Sequence, residues 1–149
     1  MRPCPWCTLQ RLIFLLLGLS CALGAWLALG GGSRLGGGSR LGAAIAALVA
    51  DAFAAAGVAA ALYQQLVAAG SDACGLSMAD RITMALSLHE IAPWMFLADA
   101  SCAEANLPLL GLPFAIWSVA LFALIGAAAV LAFVLLMRDR VSVGARFRR

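Results

Sequence analysis

Three long apolar runs constrain the fold of this chain more than any other feature of its sequence. They cover roughly 12–30, 43–66 and 112–137, and Asp51 is the only charged residue within them. At about 1.5 Å per residue, each run forms a helix long enough to cross the roughly 30 Å hydrocarbon core of a bilayer. The chain is 64% hydrophobic and 11% charged, whereas a soluble domain carries about 25% charged residues. The sequence therefore predicts a single all-α integral membrane domain over 1–149, a helical bundle with three spans.

The segments between the runs differ in character. The turn over 31–42 is rich in glycine and lies in a stretch with a duplicated six-residue unit, which is typical of a flexible connection. The loop over 68–109 is the longest stretch without a span. Within it, Ala79 to Ile91 has apolar residues at helical spacing and Pro93 follows, which predicts a short amphipathic helix on the bilayer surface.

The ten basic residues are all arginine, and their distribution predicts the orientation of the chain. Three spans place the 31–42 turn and the 138–149 tail on one side of the membrane. The N-terminus and the 68–109 loop share the other side. Seven arginines lie on the first side and three on the second. Because excess arginine marks the cytoplasmic side, the turn and tail are predicted to be cytoplasmic and the loop to face outward. The arginines form no stripe interleaved with aromatic residues, so we expect no nucleic-acid partner.

Four of the five cysteines lie on the outward side of this topology. Cys4 and Cys7 are two residues apart just before the first run, Cys74 and Cys102 lie in the loop, and Cys21 is inside the first run. Disulfides form and persist in an oxidising compartment outside the cytoplasm. A Cys-x-x-Cys pair before a helix suits dithiol–disulfide exchange, because the helix N-terminus favours the reactive thiolate and the second thiol resolves a mixed disulfide.

The cysteines alone leave other interpretations open. A two-residue spacing also suits Zn²⁺, although one histidine and no second Cys-x-x-Cys favour redox chemistry over a metal site. Cys74 and Cys102 can be a structural staple of the loop. A heavy-metal transporter with a thiolate relay, the alternative from another class, would place cysteines inside the membrane or on the cytoplasmic face. Only Cys21 fits that arrangement.

Three motifs together give the chain a resemblance to a known family. They are Cys4-Pro5-Trp6-Cys7 with Arg11 after it, the loop cysteines Cys74 and Cys102 on either side of a helix-like segment, and Ser101-Cys102-Ala103-Glu104 followed by Leu110-Gly111-Leu112-Pro113 and Trp117. In this combination, over nearly its whole length, the chain resembles the DsbB family of bacterial inner-membrane disulfide oxidoreductases. Members of that family have four transmembrane helices, the first of which precedes the Cys-x-x-Cys, so we expect three of the four spans here.

The resemblance implies a quinone-dependent thiol oxidase of the inner membrane, with its active site on the periplasmic face. A soluble DsbA-like dithiol would attack the Cys74–Cys102 disulfide, with Cys74 forming the mixed disulfide. Cys102 would then exchange with Cys4, and Cys7 would pass the electrons to ubiquinone or menaquinone. A vitamin K epoxide reductase-like enzyme also combines a similar bundle with a quinone, but it usually carries its Cys-x-x-Cys near the last helix.

The resemblance also implies where the quinone binds. Arg11 lies one helical turn after Cys7, where a guanidinium can stabilise a thiolate or donate to a quinone carbonyl. A snorkelling interfacial arginine is the alternative for this position. Tyr63, Gln64 and Gln65 lie at the outer end of the second run, and of these Tyr63 and Gln65 are the predicted quinone contacts. Ordinary interfacial placement explains them equally well.

Overall fold

The computed structural model of the chain describes residues 4–29, 37–68, 77–98 and 108–146. Most of these residues are helical, and one short hairpin is the only β-structure within them. The elements in chain order are helices α1 (Pro5–Leu29), α2 (Gly37–Leu66), α3 (Met78–Ala85), α4 (Leu88–Ile91) and α5 (Pro93–Phe96), strands β1 (Pro108–Leu109) and β2 (Leu112–Pro113), and helix α6 (Phe114–Arg146).

Three of these helices are long and apolar enough to cross a membrane. The candidate spans are Pro5–Leu29, Arg40–Leu66 and Phe114–Arg138. Large apolar side chains cover their outer faces; the exposed fractions of Leu19 and Leu124 are 67% and 72%. Such faces suit lipid tails, and a helix satisfies its backbone hydrogen bonds internally, as the hydrocarbon region requires. The prediction of an all-α membrane protein with three spans is confirmed.

The long helices extend beyond the apolar runs. Helix α1 begins at Pro5, so Cys7 lies in its first turn rather than in a segment before it. Helix α2 begins at Gly37, so the expected 31–42 turn is helical from that residue onward, and α6 continues through Arg146 into the expected tail. Once a helix is nucleated, each further residue adds a hydrogen bond at little cost, which accounts for these extensions.

The amphipathic helix expected over Ala79–Ile91 is present as α3 but ends at Ala85. A capping box starts it, in which the Asp80 amide donates to Ser77 Oγ and the Ser77 amide donates to the Asp80 carboxylate. Ser87 then has a φ of 48°, a left-handed conformation that interrupts the helical path before α4. Pro93 opens α5, where its missing N–H leaves no helical hydrogen bond unmade.

A hairpin that the sequence did not indicate leads into α6. Strands β1 and β2 pair antiparallel around Leu110 and Gly111, whose φ angles of 54° and 82° are both positive, as in the tight turns that match strand twist. Pro113 is the last residue of β2 and directly precedes α6. The indole N–H of Trp117 donates to the Leu109 carbonyl at 3.1 Å and ties the hairpin to the start of α6.

The chain divides into two compact units, Met1–Phe14 with Ala56–Phe122, and Leu15–Ala55 with Ala123–Arg149. In the first unit, the fully buried Phe122 stacks on Phe14 with ring centroids 3.8 Å apart. The same ring covers Gly57 so closely that a Cβ atom there would lie 2.3 Å from it. Only glycine lets the ring reach the α2 backbone, and this contact packs α6 against α2 beneath the cysteine pair.

Small residues also bring the helices together in the second unit. A Cβ atom at Gly126 would lie 3.1 Å from the Ala54 side chain, and one at Gly24 would lie 3.3 Å from that of Ala46. Close approach of backbones through glycine and alanine is the usual way helices pack in lipid, where apolar burial gives little drive to associate. Asp51 of α2 belongs to this unit, and its buried Oδ1 has no hydrogen-bond partner among the described residues.

Candidate redox site at the start of the first helix

Cys4 and Cys7 face each other at the N-terminus of α1. Their Sγ atoms are 2.6 Å apart, and the Cys7 backbone N–H donates to Cys4 Sγ at 3.3 Å. Cys4 immediately precedes the helix, Pro5 fills its first position, and the Thr8 N–H donates to the Cys4 carbonyl at 3.0 Å. The Cys4 sulfur therefore accepts an N–H that no helical carbonyl satisfies, at the end where the helix dipole favours negative charge.

This geometry suits reversible oxidation. A disulfide has its sulfurs about 2.05 Å apart, so the two thiols need only a small displacement to form one. Cys4 is completely buried, whereas Cys7 is half-buried and is the more accessible sulfur of the pair. The structure therefore brings together both cysteines that the sequence predicted for this pair, and their sulfur atoms differ in exposure.

A buried glutamine on α2 reaches the same sulfur. Gln64 Nε2 donates to Cys7 Sγ at 3.4 Å, and Gln64 Oε1 accepts from Gln10 Nε2 at 2.7 Å. Both glutamine side chains are buried, with exposed fractions of 1% for Gln64 and 5% for Gln10. The sequence indicated polar side chains at this end of α2, and the structure brings Gln64 of this group to Cys7.

Gln10 was not among the predicted site residues. It lies three positions after Cys7, which places both on one face of α1. The spacing of Cys7 and Gln10 could have indicated Gln10 as a neighbour of the site. It does not indicate which residue of α2 lies opposite Gln10. The two glutamines and Cys7 form a chain of hydrogen bonds between α1 and α2.

Tyr63 lies beside the cysteine pair through an aromatic contact. Its ring and that of Trp6 have centroids 4.7 Å apart and are tilted by 36°. Trp6 is the residue between the cysteines that directly precedes Cys7, and Tyr63 directly precedes Gln64. The predicted site residue Tyr63 is therefore adjacent to the redox pair, and its half-exposed ring contributes an aromatic surface there.

Arg11 is exposed and donates a hydrogen bond to a backbone carbonyl of α5. Its Nη1 donates to the Met95 oxygen in α5 at 2.7 Å. A guanidinium has five N–H donors, so this bond leaves others to serve a second acceptor. The sequence placed Arg11 one turn after Cys7, and the structure adds that it joins α1 to the short helix that follows the amphipathic segment.

The remaining predicted site residues, Cys74 and Cys102, lie outside the described residues. The segments that contain them are flanked by α2 and α3 and by α5 and β1. The C-terminal part of α2, from Ala56 onward, and all of α3, α5 and β1 belong to the unit that holds Cys4 and Cys7. Cys21 is exposed on α1 and belongs to the other unit. Within the described ranges, no group of three or more His, Cys, Asp or Glu side chains is placed to hold a metal ion.

Comparison with known proteins identifies the family. The family model described as Disulfide bond formation protein DsbB matches residues 1–132. A protein named Disulfide bond formation protein B from Stutzerimonas stutzeri is 34% identical over 142 residues, covering 93% of this chain and 80% of the relative. A Disulfide bond formation protein B 1 from Pseudomonas fluorescens is 33% identical over 124 residues, covering 83% and 68%. No solved structure matches. The chain is a multi-pass membrane protein that belongs to the DsbB family of disulfide bond formation proteins.

Proposed function

We propose that this protein is a membrane thiol oxidase that reoxidises a soluble DsbA-like dithiol and passes the electrons through two cysteine pairs to a membrane quinone. The observation that carries the proposal is the Cys4–Cys7 pair, with its sulfurs 2.6 Å apart at the N-terminus of a candidate membrane span. A dithiol placed there is at the boundary between a soluble partner and a lipid-soluble acceptor. Family membership supports the assignment of disulfide chemistry.

Thiol–disulfide exchange accounts for the steps between proteins. A thiolate of the partner attacks Cys74 of the Cys74–Cys102 disulfide, forms a mixed disulfide and releases Cys102. The second partner thiol resolves the mixed disulfide, so the partner leaves oxidised and the loop pair is reduced. Cys102 then attacks Cys4 of the Cys4–Cys7 disulfide, Cys7 leaves as a thiolate, and Cys74 resolves the bond between Cys102 and Cys4. Each exchange transfers two electrons, and the loop disulfide is restored.

The burial of Cys4 places a requirement on the second exchange. A sulfur with no exposed surface cannot be attacked in line until the groups covering it move. The half-buried Cys7 has no such restriction. We therefore expect the exchange with the loop pair to depend on movement around Cys4, and the final electron transfer to take place from Cys7.

The residues around Cys7 fit a quinone ring. The unused N–H donors of Arg11 suit a carbonyl oxygen, and the Trp6–Tyr63 pair offers aromatic surface for a flat ring. Gln65 is the further contact that we propose on the same end of α2. When bound, a quinone supplies an acceptor for the two electrons and two protons of the Cys4–Cys7 dithiol. A DsbA-like protein is itself a strong oxidant, so only a still more oxidising acceptor can restore it.

We propose that this end of the bundle faces the periplasm and that the protein resides in the bacterial inner membrane. The support is the arginine distribution, with seven on the side of the turn and tail against three on the side of the cysteine pairs. An impermeant maleimide applied to intact, reduced cells should therefore label Cys74 and Cys102. Labelling that appears only after the inner membrane is opened would reverse the orientation.

The function is tested by steady-state oxidation of a reduced DsbA-class protein by the purified protein. We expect partner oxidation to require added quinone and to be lost in Cys4→Ser, Cys7→Ser, Cys74→Ala and Cys102→Ala. Cys21→Ser, in the other unit, is the matched control and should retain activity. Full activity in Cys7→Ser, or partner oxidation that does not depend on quinone under anaerobic conditions, would overturn the proposal.

A further inference from the structure

Two buried glutamines face each other on different membrane helices, and the proposed electron path does not use their contact. Burying an amide away from water costs free energy unless its donors and acceptors are paired. Gln10 and Gln64 meet this cost with a 2.7 Å hydrogen bond. Apolar side chains would pack α1 against α2 without the need to pair buried amide groups. The two glutamines therefore suggest a role other than helix packing.

The direction of this hydrogen bond determines what Gln64 presents to Cys7. Because Gln64 Oε1 accepts from Gln10 Nε2, the amide is oriented with its NH₂ group toward Cys7 Sγ, 3.4 Å away. A thiolate can only accept hydrogen bonds, so this orientation serves the reduced, deprotonated sulfur. The opposite orientation would bring a carbonyl oxygen against the sulfur and two NH₂ groups against each other.

We propose that Gln10 is a positioning residue, which holds the Gln64 amide so that it donates to the Cys7 sulfur and thereby stabilises the reduced form of the Cys4–Cys7 pair. The inference rests on the proposed function only in treating Cys7 as a redox thiol. Stabilising the reduced form makes the pair more oxidising, which favours its acceptance of electrons from the loop cysteines. Gln10 acts on the sulfur through the Gln64 amide.

The sharpest test is Gln10→Glu, which keeps the size of the side chain but replaces a donor with an acceptor. The carboxylate would attract the Gln64 NH₂ group and turn the Gln64 oxygen toward Cys7. Gln10→Met, which neither donates nor accepts strongly, leaves the amide without an orienting partner. We therefore expect the effect of Gln10→Glu to exceed that of Gln10→Met.

The readouts avoid the quinone step, so that their failure differs from a failure of the proposed function. In a full-length Cys21→Ser, Cys74→Ala, Cys102→Ala background, only Cys4 and Cys7 react. The rate of iodoacetamide alkylation at Cys7 at neutral pH reports thiolate reactivity. Equilibration with glutathione buffers reports the stability of the Cys4–Cys7 disulfide. Loss of a hydrogen bond to a charged acceptor should lower the alkylation rate of Cys7 about tenfold and change the equilibrium constant with glutathione about tenfold. For the two-electron couple, the second change is a shift of about 30 mV to a more reducing potential.

A double-mutant cycle separates positioning from packing. If Gln10 acts through Gln64, then Gln64→Met alone and Gln10→Met with Gln64→Met should give the same alkylation rate and the same potential. Thr8→Val is the matched control, because it removes a buried hydroxyl that donates to the Pro5 carbonyl at 2.7 Å in the same turn of α1. It should leave both readouts unchanged. Additive effects of the two glutamine substitutions, or wild-type values in both Gln10→Glu and Gln10→Met, would overturn the inference.

Discussion

The contact between Gly57 and Phe122 gives the most quantitative prediction for the packing beneath the cysteine pair. A Cβ atom at Gly57 would lie 2.3 Å from Cε1 and 2.4 Å from Cδ1 of the Phe122 ring, well inside ordinary van der Waals contact. The ring cannot easily move away, because it is fully buried and stacked on Phe14 at 3.8 Å. In Gly57→Ala, the ring and the helix that carries it must therefore shift by about an ångström or more.

Overpacking of this kind costs about 1–3 kcal/mol. For a chain of this size, that corresponds to a fall in the unfolding midpoint of about 3–10 °C. The assay is thermal unfolding of the purified protein in one detergent, followed by the loss of helical circular dichroism. Gly18→Ala is the matched control, since a Cβ atom there meets no atom of the described residues within 4 Å, and alanine stabilises a helix by about 0.5–1 kcal/mol relative to glycine.

A rescue variant connects the effect to the ring. Combining Gly57→Ala with Phe122→Leu removes the atoms that the new methyl group meets. The double variant should therefore be less destabilised than the sum of the two single variants. A Gly57→Ala protein as stable as Gly18→Ala, or a double variant with additive losses, would refute the close contact between α2 and α6.

Three further predictions concern individual residues. Arg11→His removes the planar, permanently charged guanidinium and should raise the apparent KM for quinone by about one to two decades, from a loss of about 1.5–3 kcal/mol. The control is Arg81→His, which replaces an exposed arginine of α3 and should leave the KM unchanged. Equal KM values for Arg11→His and wild type would mean that Arg11 only binds the Met95 carbonyl and does not bind quinone. In Cys102→Ala the free Cys74 thiolate should attack the disulfide of the oxidised partner, release one partner thiol and trap a mixed disulfide. Cys74→Ala should trap no such complex, and equal trapping by both variants would contradict the assigned roles. Asp51→Leu should raise the free energy of unfolding by about 1–3 kcal/mol, because it removes a buried carboxylate oxygen that has no partner in the part of the chain that the structure describes. A destabilised Asp51→Leu protein would point to an interaction that the carboxylate makes.

The membrane architecture could be predicted because lipid leaves few alternatives. A long apolar run must form a helix to satisfy its backbone, so run length and charge content were sufficient to predict three spans. The proximity of Cys4 and Cys7 could also be predicted, since a Cys-x-x-Cys motif at a helix N-terminus places both sulfur atoms within one turn. These features depend on local sequence and on the solvent, and not on which helix packs against which.

The parts that could not be predicted depend on conformation or on tertiary contacts. Ser87 interrupts the amphipathic helix with a positive φ, and serine carries no strong signal for that conformation. The contact of Gln64 with Cys7 depends on the rotation of α2 about its axis, which no local pattern specifies. Arg11 binds the Met95 backbone oxygen. Every residue has a backbone carbonyl, so the sequence does not indicate which one accepts this hydrogen bond.

The most direct test of the central claim counts electrons through Cys7. A catalytic amount of the purified protein is mixed anaerobically with quinone and reduced DsbA-class protein, both in large excess over the protein's own disulfides, and the partner disulfide and the quinol are measured over many turnovers. We predict one quinol for each disulfide formed in the wild type and in Cys21→Ser, and no quinol in Cys7→Ser. Disulfide formation without a matching amount of quinol, or quinol formation that persists in Cys7→Ser, would contradict the proposed path of electrons.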